Sequence, residues 1–317
     1  MTANTPTITR HSTFSTAARL WSDFGDQYND PSGVAYTMPI IRPALKTYLF
    51  PLFDELRRAS GNREPLQVLV LACGSGPEVD VLVDGYGDEQ MKILATDFAE
   101  GMVKTTQKMV HSKGKSSMVE TKVLDATNMD LPDSSFDVIL LFLGPMLLPD
   151  PPRGLAEIRR VLRPGGLSAF LTPQDFHQYD IIDEAKHLIV QARPSNLSEE
   201  ERWRGIPFKR FRDSPMMRTW GQLSFVQDKV AKAGFTRVKG TVVNGMSVIQ
   251  PNEVATFLSS LLHNPGMQFI KASFSEEECK AFEYHLGNII IEKWPPPQAP
   301  QLRCGGNLVW GYEPVDQ

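Results

Sequence analysis

Short apolar runs and amphipathic stretches alternate along the first half of the chain. The apolar runs are rich in Val, Leu and Ile, a composition typical of strands that are buried on both faces of a parallel sheet. Five such runs predict strands, the first beginning at Val68 and the others at 91–96, 117–124, 136–142 and 167–171. Because amphipathic segments separate these strands, the pattern indicates an α/β fold.

Further elements are predicted beyond the fifth strand. Helical spacing recurs at 181–192, 220–233, 251–264 and 275–292, and Gly234 follows the second of these helices as a stop signal. Apolar residues at 235–243 and 308–312 predict two more strands. The pattern therefore predicts a core sheet with helical insertions after its fifth and sixth strands.

The first strand ends in a turn that contains Gly74 and Gly76, and a helix is predicted to follow from Pro77. Glycine has no Cβ, so a ligand can lie against bare backbone at such a turn. The N-terminus of the following helix also offers unpaired N–H groups. The turn is therefore either a site for a nucleotide-like cofactor or an ordinary loop.

Asp97 ends the second strand, about 20 residues beyond the glycines, where an acid grips ribose hydroxyls in dinucleotide-binding folds. The alternative is that Asp97 caps the helix predicted to start near Glu100. A complete G-x-G-x-x-G fingerprint would place a third glycine where this chain has Val79, which disfavours NAD.

Several short motifs accompany the turn and the acid. They are Leu-Ala-Cys-Gly-Ser-Gly at 71–76, Ala-Thr-Asp at 95–97, Asp-Ala at 125–126, Leu-Pro-x-x-x-Phe-Asp at 131–137 and Glu-Ile-x-Arg-Val-Leu-Arg-Pro-Gly-Gly at 157–166. Together they resemble the class I S-adenosylmethionine-dependent methyltransferases of small molecules, over residues 66–173. The resemblance implies an α/β fold, with a Rossmann-like, doubly wound, seven-stranded sheet whose last strand is antiparallel.

The predicted elements divide the chain into five regions. Residues 1–15 are expected to be a mobile N-terminus, residues 16–60 a helical lid, and residues 61–173 the cofactor-binding Rossmann-like core. Residues 174–218 are expected to be a cap insertion over the substrate. Residues 219–317 complete the core and carry a helical insertion at 251–292.

The resemblance implies roles for the residues of the glycine turn and of the second strand. Ala72, Gly74 and Gly76 would lie under the methionine half of S-adenosylmethionine, while Asp97 would hold the ribose. The family often has an acid at the position of Val70, so this chain departs from the pattern there.

Glu78 follows the glycines and offers two interpretations. It is either a substitute for the acid missing at Val70 or, as we expect, a solvated acid in the first turn of a helix.

Adenine recognition and the lid supply the other implied positions. Asp125 would accept a hydrogen bond from the adenine amino group, and the Ala126 N–H would donate to the ring. Phe98 and Phe142 would flank the adenine, unless they belong to the core. In the lid, Tyr28 best resembles a tyrosine that reaches the cofactor carboxylate.

Two other aromatic residues, Trp21 and Tyr36, are further candidates to line the lid. The alternative for each of them is packing between helix and sheet.

Composition restricts the partners. Net charge is −4, and the chain has no long basic run, so nucleic acid has little electrostatic support as a substrate. Three widely spaced cysteines without zinc spacing predict no metal site and a reducing compartment. No apolar run has the length of a membrane span and no signal peptide is apparent, so we expect a cytoplasmic location. The sequence does not indicate an oligomeric state.

Chemistry with a sulfonium donor needs a general base only if the nucleophile is protonated. The candidate bases follow the fifth strand, and His177 is the best of them because its ordinary pKa of about 6.5 suits proton acceptance. The others are Asp175, Tyr179 and Asp180.

The sequence predicts methyl transfer to O, S or N of a small hydrophobic metabolite. The Tyr-x-Asp-Pro segment at 28–31 resembles fungal natural-product methyltransferases, which implies secondary metabolism. Two alternatives stay open, namely a non-methylating reaction such as cyclisation and a non-catalytic binding protein on the same fold.

Overall fold

The computed structural model of the protein describes residues 18–23, 36–61 and 64–315. Its strands are Leu66–Leu71 (β1), Met91–Asp97 (β2), Val119–Val123 (β3), Phe136–Phe142 (β4), Leu162–Phe176 (β5), Thr236–Val248 (β6) and Gln301–Tyr312 (β7). They form one sheet in the order β3-β2-β1-β4-β5-β7-β6. Strands β1 to β5 are parallel, and β7 is antiparallel to both neighbours. The predicted fold class is confirmed.

Helices cover both faces of this sheet. They are 18–23 (α1), Met38–Pro43 (α2), Phe50–Ala59 (α3), Pro77–Gly85 (α4), Glu100–Ser112 (α5), Pro151–Val161 (α6), His177–Ala192 (α7), Glu199–Arg202 (α8), Pro215–Thr219 (α9), Leu223–Lys232 (α10), Val254–His263 (α11), Pro265–Lys271 (α12) and Glu276–Lys293 (α13). Successive residues of a strand point to opposite faces. Val68 and Val70 accordingly join one apolar core, whereas Leu69 and Leu71 join the other.

Strand β1 lies between β2 and β4, so the chain winds away from β1 in both directions. Ligands of open α/β sheets bind at this switch point, outside the carboxyl ends of the strands. The five-residue run Val138–Phe142 of β4 is buried on both faces, which explains why its apolar sequence predicted it well. The topology therefore places the candidate site above β1, β2 and β4.

Strands β5 and β7 are longer than the predicted 167–171 and 308–312. They pair antiparallel from Leu167 with Tyr312 to Phe176 with Cys304, with a register shift between Pro173 and Asp175. The sequence did not predict the full length of these strands, because Pro and Gly residues lie at both ends of the pairing and normally interrupt strands. His177 is the first residue of α7, so this helix begins four residues before the predicted start at Ile181.

The N-terminal helices pack against the sheet and against α5. Helix α2 continues through a π-helical segment, Ala44–Leu49, into α3, and Pro43 at the junction lacks an N–H. A Cβ on Gly245 of β6 would lie 2.4 Å from the carbonyl oxygen of Pro39, so α2 approaches that strand closely. None of the helices within 18–23, 36–61 and 64–315 combines the length and apolar character that crossing a membrane requires.

Candidate functional site

The turn after β1 holds three residues in the left-handed region. Ala72 has φ 51°, Gly74 has φ 55° and Gly76 has φ 89°. Only glycine adopts such angles without steric cost, so the alanine is strained. Gly76 ends the turn as the N-cap residue of α4, and its N–H donates to the carbonyl of Cys73 at 2.8 Å. Strained backbone held by packing clusters at functional sites, so the turn itself is a candidate for one.

The two glycines have different surroundings. A Cβ on Gly76 would lie 2.8 Å from the Cε of Met109 and 3.0 Å from the hydroxyl of Thr106, so this glycine allows α5 to pack against the turn. A Cβ on Gly74 would meet nothing within 4 Å. Gly74 therefore presents its backbone to open space, as a ligand cradle requires.

Asp97 is tied directly to this cradle. Its Oδ2 accepts a hydrogen bond from the Gly74 N–H at 3.0 Å, and its Oδ1 accepts one from the Ala99 N–H at 2.9 Å. Helix α5 has Ala99 as its N-cap and no side-chain cap, which removes the alternative of Asp97 as that helix's cap residue. The Phe98 N–H also donates to this carboxylate, which has about four acceptor positions, so roughly one remains for a ligand's hydroxyl group.

The electrostatics of this corner are set by burial. Asp97 is 5% exposed, and desolvation raises its pKa to about 6 despite the backbone donors that favour the carboxylate. Cys73 is also buried, and its thiol contacts the Thr106 hydroxyl at 3.5 Å. Burial first, and then the charge of Asp97, raise the pKa of this thiol well above its ordinary value. Cys73 is therefore a packing residue of the turn, not a thiolate nucleophile.

Glu78 corrects a prediction. We expected a solvated acid in the first turn of α4, but its side chain is only 3% exposed. Its Oε2 has no hydrogen-bond partner among the described residues. Burial, followed by the charge of Asp97, raises the pKa of Glu78 to about 8. The helix turns this face toward Asp97 and the sheet, which the local sequence did not indicate.

Asp125 follows β3 at the same edge of the sheet. Its Oδ1 accepts hydrogen bonds from the N–H and the hydroxyl of Thr127, at 2.8 and 2.7 Å. No described residue donates to Oδ2 in the hydrogen bonds of this loop. Ala126 beside it is buried. These contacts fix the carboxylate in place and leave one oxygen available for a ligand donor.

The aromatic residues predicted for adenine separate into two groups. Phe98 is half-buried and packs with Trp21 of α1 against Met102 of α5, beside Asp97. Phe142 is 3% exposed and belongs to the apolar core, so its assignment as an adenine-flanking residue is corrected: it is the last buried residue of β4. Tyr28 lies outside the described residues.

The loop after β4 contacts the glycine turn. Leu143 is in the left-handed region, with φ 52°. A Cβ on Gly144 would lie 2.9 Å from the Cβ of Ala72, so the two strand ends meet closely at the switch point. Strained non-glycine residues thus end both β1 and β4.

The candidate bases gather at the carboxyl end of β5. Arg212 bridges Asp175 at 3.0 Å and Asp180 at 3.3 Å, so both carboxylates are ion-paired. Burial raises the pKa of Tyr179 above its ordinary value, so less of this phenol is ionised and able to accept a proton near neutral pH. The half-buried His177 packs edge-on against Trp294, and its Nδ1 is buried without a partner among the described residues.

An aromatic cluster that the sequence did not predict lies beside these groups. Tyr36 contacts Phe176 edge-on, Phe176 contacts Tyr179, and Tyr179 stacks on Phe211 with ring centroids 4.0 Å apart. These rings come from the N-terminal segment, the end of β5, the start of α7 and the following insertion. Since Tyr36, the neighbouring pair Phe176 and Tyr179, and Phe211 lie in three separate parts of the chain, no local pattern could have indicated that all four meet.

Comparisons with known proteins concern the part of the chain that builds this site. The family model described as a methyltransferase domain matches residues 69–170. The chain is 37% identical over 104 residues to demethylmenaquinone methyltransferase of Desulfitobacterium hafniense, covering 33% of this chain and 41% of that protein. It is 30% identical over 143 residues to the ubiquinone/menaquinone biosynthesis C-methyltransferase of Teredinibacter turnerae, covering 42% and 57%.

Among solved structures, a SAM-dependent methyltransferase from Aquifex aeolicus matches with a TM-score of 0.43 and 19% identity, covering 72% of this chain and 92% of that one. The chain thus spans 41 to 57% of the length of the two curated relatives named above.

Proposed function

We propose that this protein is an enzyme that transfers the methyl group of S-adenosylmethionine to an O, S or N atom of a small hydrophobic metabolite, with the methyltransferase-domain match at residues 69–170 as support. One observation carries the proposal. The Gly74 N–H and the Asp97 carboxylate are hydrogen-bonded into one unit at the switch point of the sheet, with open space beside Gly74. That unit offers bare backbone and a ribose-binding acid together.

The residues present fit this cofactor. Gly74 leaves room that a side chain would fill, Asp97 and Asp125 each retain acceptor positions, and the Oε2 of Glu78 is an unpartnered buried acceptor nearby. Asp97 would hold the ribose and Asp125 the adenine amino group, with Phe98 beside the ring. Tyr28 and the other lid residues would cover the cofactor.

When bound, S-adenosylmethionine supplies a methyl group on a positively charged sulfur, which is already activated for in-line displacement. The protein therefore has to align the acceptor atom and exclude water. The Ala72–Gly144 contact shapes the floor of the site where β1 and β4 end. Alignment of this kind is worth roughly 7–11 kcal/mol.

His177 is the proposed general base for acceptors that need one. Its Nδ1 lacks a protein partner among the described residues, whereas Asp175 and Asp180 are neutralised by Arg212. We expect His177→Ala to lower kcat by about 10²-fold or more and to leave cofactor affinity unchanged. Unaltered turnover of the His177→Ala variant would remove His177 from this role and indicate a nucleophile that ionises unaided.

The substrate class rests on the insertion at 174–218, which we propose as the substrate cap. Its Tyr179 is buried together with Phe176, so the half-buried rings of Phe211 and Tyr36 at the edge of this cluster are the apolar surfaces offered to a ring-containing molecule. Relatives that match the core are named for quinone substrates, and one of them is named a C-methyltransferase, so carbon joins O, S and N as an acceptor to be separated by experiment.

Two measurements test the proposal. Titration calorimetry with S-adenosylmethionine should show binding, and Asp97→Asn should weaken it by about tenfold or more, since charge-assisted hydrogen bonds contribute roughly 1.5–3 kcal/mol. Incubation of metabolite extracts with isotope-labelled cofactor should then give a product heavier by one methylene. An isomer of unchanged mass would indicate cyclisation instead, and absence of cofactor binding would leave a scaffold without this activity.

A further inference from the structure

Two polar side chains beside the glycine turn are buried and have no hydrogen-bond partner among the described residues. They are Glu78, with its Oε2 unpartnered at 3% exposure, and Ser75, with its hydroxyl unpartnered at 8% exposure. A buried polar group without a partner costs about 1–3 kcal/mol, more if it is charged. Two such groups within four residues of each other indicate that a bound ligand supplies the missing hydrogen-bond partners.

The positions of Ser75 and Glu78 limit which part of a ligand can be their partner. Ser75 stands between Gly74 and Gly76, the glycines of the proposed cofactor cradle, and Glu78 lies in the first turn of α4, two residues after Gly76. The ribose is assigned to Asp97, and the adenine to Asp125. Of the proposed cofactor, the amino-acid end, with an ammonium and a carboxylate, is the part to which no polar side chain within residues 36–61 and 64–315 has been assigned.

We propose that Glu78 binds the ammonium group of the cofactor and Ser75 its carboxylate, and that cofactor binding is coupled to ionisation of Glu78. This inference rests on the proposed function. An ammonium group donates three hydrogen bonds and offsets the carboxylate charge, while the serine hydroxyl donates to the anionic end. Both unpartnered atoms are then satisfied by a single ligand segment.

The coupling follows from the surroundings of Glu78. The groups that act on it are the Asp97 carboxylate of β2 and its own backbone N–H, while the thiol of Cys73 in the turn is neutral. The basic residues of the N-terminal helix packed beside α4, Arg42 and Lys46, are exposed. With a pKa of about 8, Glu78 is protonated at pH 7 in the free protein.

The ammonium group replaces that proton. The carboxylic acid of Glu78 loses a proton to solvent, and the resulting carboxylate pairs with the ammonium, which stays protonated. Cofactor affinity should therefore rise with pH up to about pH 8.

The experiment compares S-adenosylhomocysteine with 5′-methylthioadenosine, which has the same nucleoside but no amino-acid end. Glu78→Gln should weaken binding of S-adenosylhomocysteine by about tenfold or more and change that of methylthioadenosine by less than about twofold. Asp97→Asn, as the matched control, should weaken both ligands. Ser75→Ala should act in the same direction as Glu78→Gln, again only on the ligand with the amino-acid end.

The wild-type protein gives a readout that does not depend on any variant folding. Calorimetry at pH 7 in buffers of different ionisation enthalpy should show close to one proton released with S-adenosylhomocysteine and none with methylthioadenosine.

Equal effects of Glu78→Gln on the two ligands, or no proton release from the wild type, would overturn the inference while leaving the proposed function intact. Failure of the wild type to bind either ligand would instead overturn the proposed function, and this inference with it.

Discussion

Glu78 and Asp97 are the residues whose burial has the clearest consequence for stability. Desolvation raises the pKa of Glu78 from 4.5 to about 8 and that of Asp97 from 3.8 to about 6. Each carboxyl thus binds its proton more tightly in the folded than in the unfolded chain. At a pH below the pKa that the carboxyl has in the unfolded chain, it is protonated in both states. Above that pH the unfolded chain ionises while the folded protein keeps its proton. The free energy of unfolding therefore falls as the pH rises toward the pKa of the folded protein.

Glu78→Gln should isolate the contribution of Glu78, because the amide cannot ionise. In the absence of ligand, we expect the free energy of unfolding of the variant, relative to wild type, to increase by about 3–4 kcal/mol between pH 5 and pH 8.5. Chemical denaturation at the two pH values measures it. The matched control is Glu120→Gln, an exposed acid of β3, for which the difference should stay constant. A constant difference for Glu78→Gln as well would mean that Glu78 is solvated after all.

At the scale of elements, the turn between β1 and α4 can be tested against another turn of the same geometry. Gly74 and Gly114 both have left-handed φ angles, 55° and 65°, and a Cβ on either would meet nothing within 4 Å. Alanine at either position should therefore cost about 1–2 kcal/mol of stability through backbone strain alone.

Only Gly74→Ala should also affect ligand binding, since its methyl group would occupy the open side of the cradle. We expect the dissociation constant for S-adenosylhomocysteine to rise by about tenfold or more, with Gly114→Ala unchanged, as measured by calorimetry. Equal affinities for the two variants would separate the turn from the cofactor.

The elements also show how far local pattern extends. Strand β4, with its bounds at 136–142, was predicted correctly because five apolar residues follow one another without interruption after Asp137. Strand β7 was predicted at 308–312 only, since its first half contains Gly305 and Gly306. A Cβ on Gly306 would lie 2.8 Å from the Leu171 side chain, so a glycine that weakens a strand in isolation here permits close packing on β5.

At the scale of the whole molecule, the N-terminal helices are joined to the far edge of the sheet. A Cβ on Gly245 of β6 would lie 2.4 Å from the carbonyl oxygen and 2.5 Å from the Cβ of Pro39. The backbone of α2 cannot yield as a flexible side chain would. This contact therefore holds the proposed lid over the edge formed by β6 and β7.

Gly245→Ala should push α2 away from β6. We expect a loss of about 1–3 kcal/mol in the free energy of unfolding, typical of overpacking, measured by denaturation in urea. Gly87→Ala is the control, because a Cβ there would meet only the Gln90 side chain, at 3.7 Å, and should leave stability unchanged within about 0.5 kcal/mol. An unaffected Gly245 variant would show that α2 is not firmly docked on β6.

The sequence by itself determined the order of the strands along the chain. It also determined two features of the candidate site, the Gly74 turn and Asp97. Both are local features: apolar runs bounded by glycines specify a strand and its turn, and an acid about 20 residues further ends the next strand. Because parallel strands present their carboxyl ends at one edge, these local signals were enough to bring the two groups together.

Only the tertiary structure decided which side chains around them are buried and which partners they meet. Glu78 has the sequence context of a solvated helix acid, but its side chain is buried near Asp97, and Phe142 is enclosed by the apolar core. The Tyr36, Phe176, Tyr179 and Phe211 cluster joins segments far apart along the chain. Burial and long-range contacts depend on how whole elements pack, and no pattern of neighbouring residues encodes that packing.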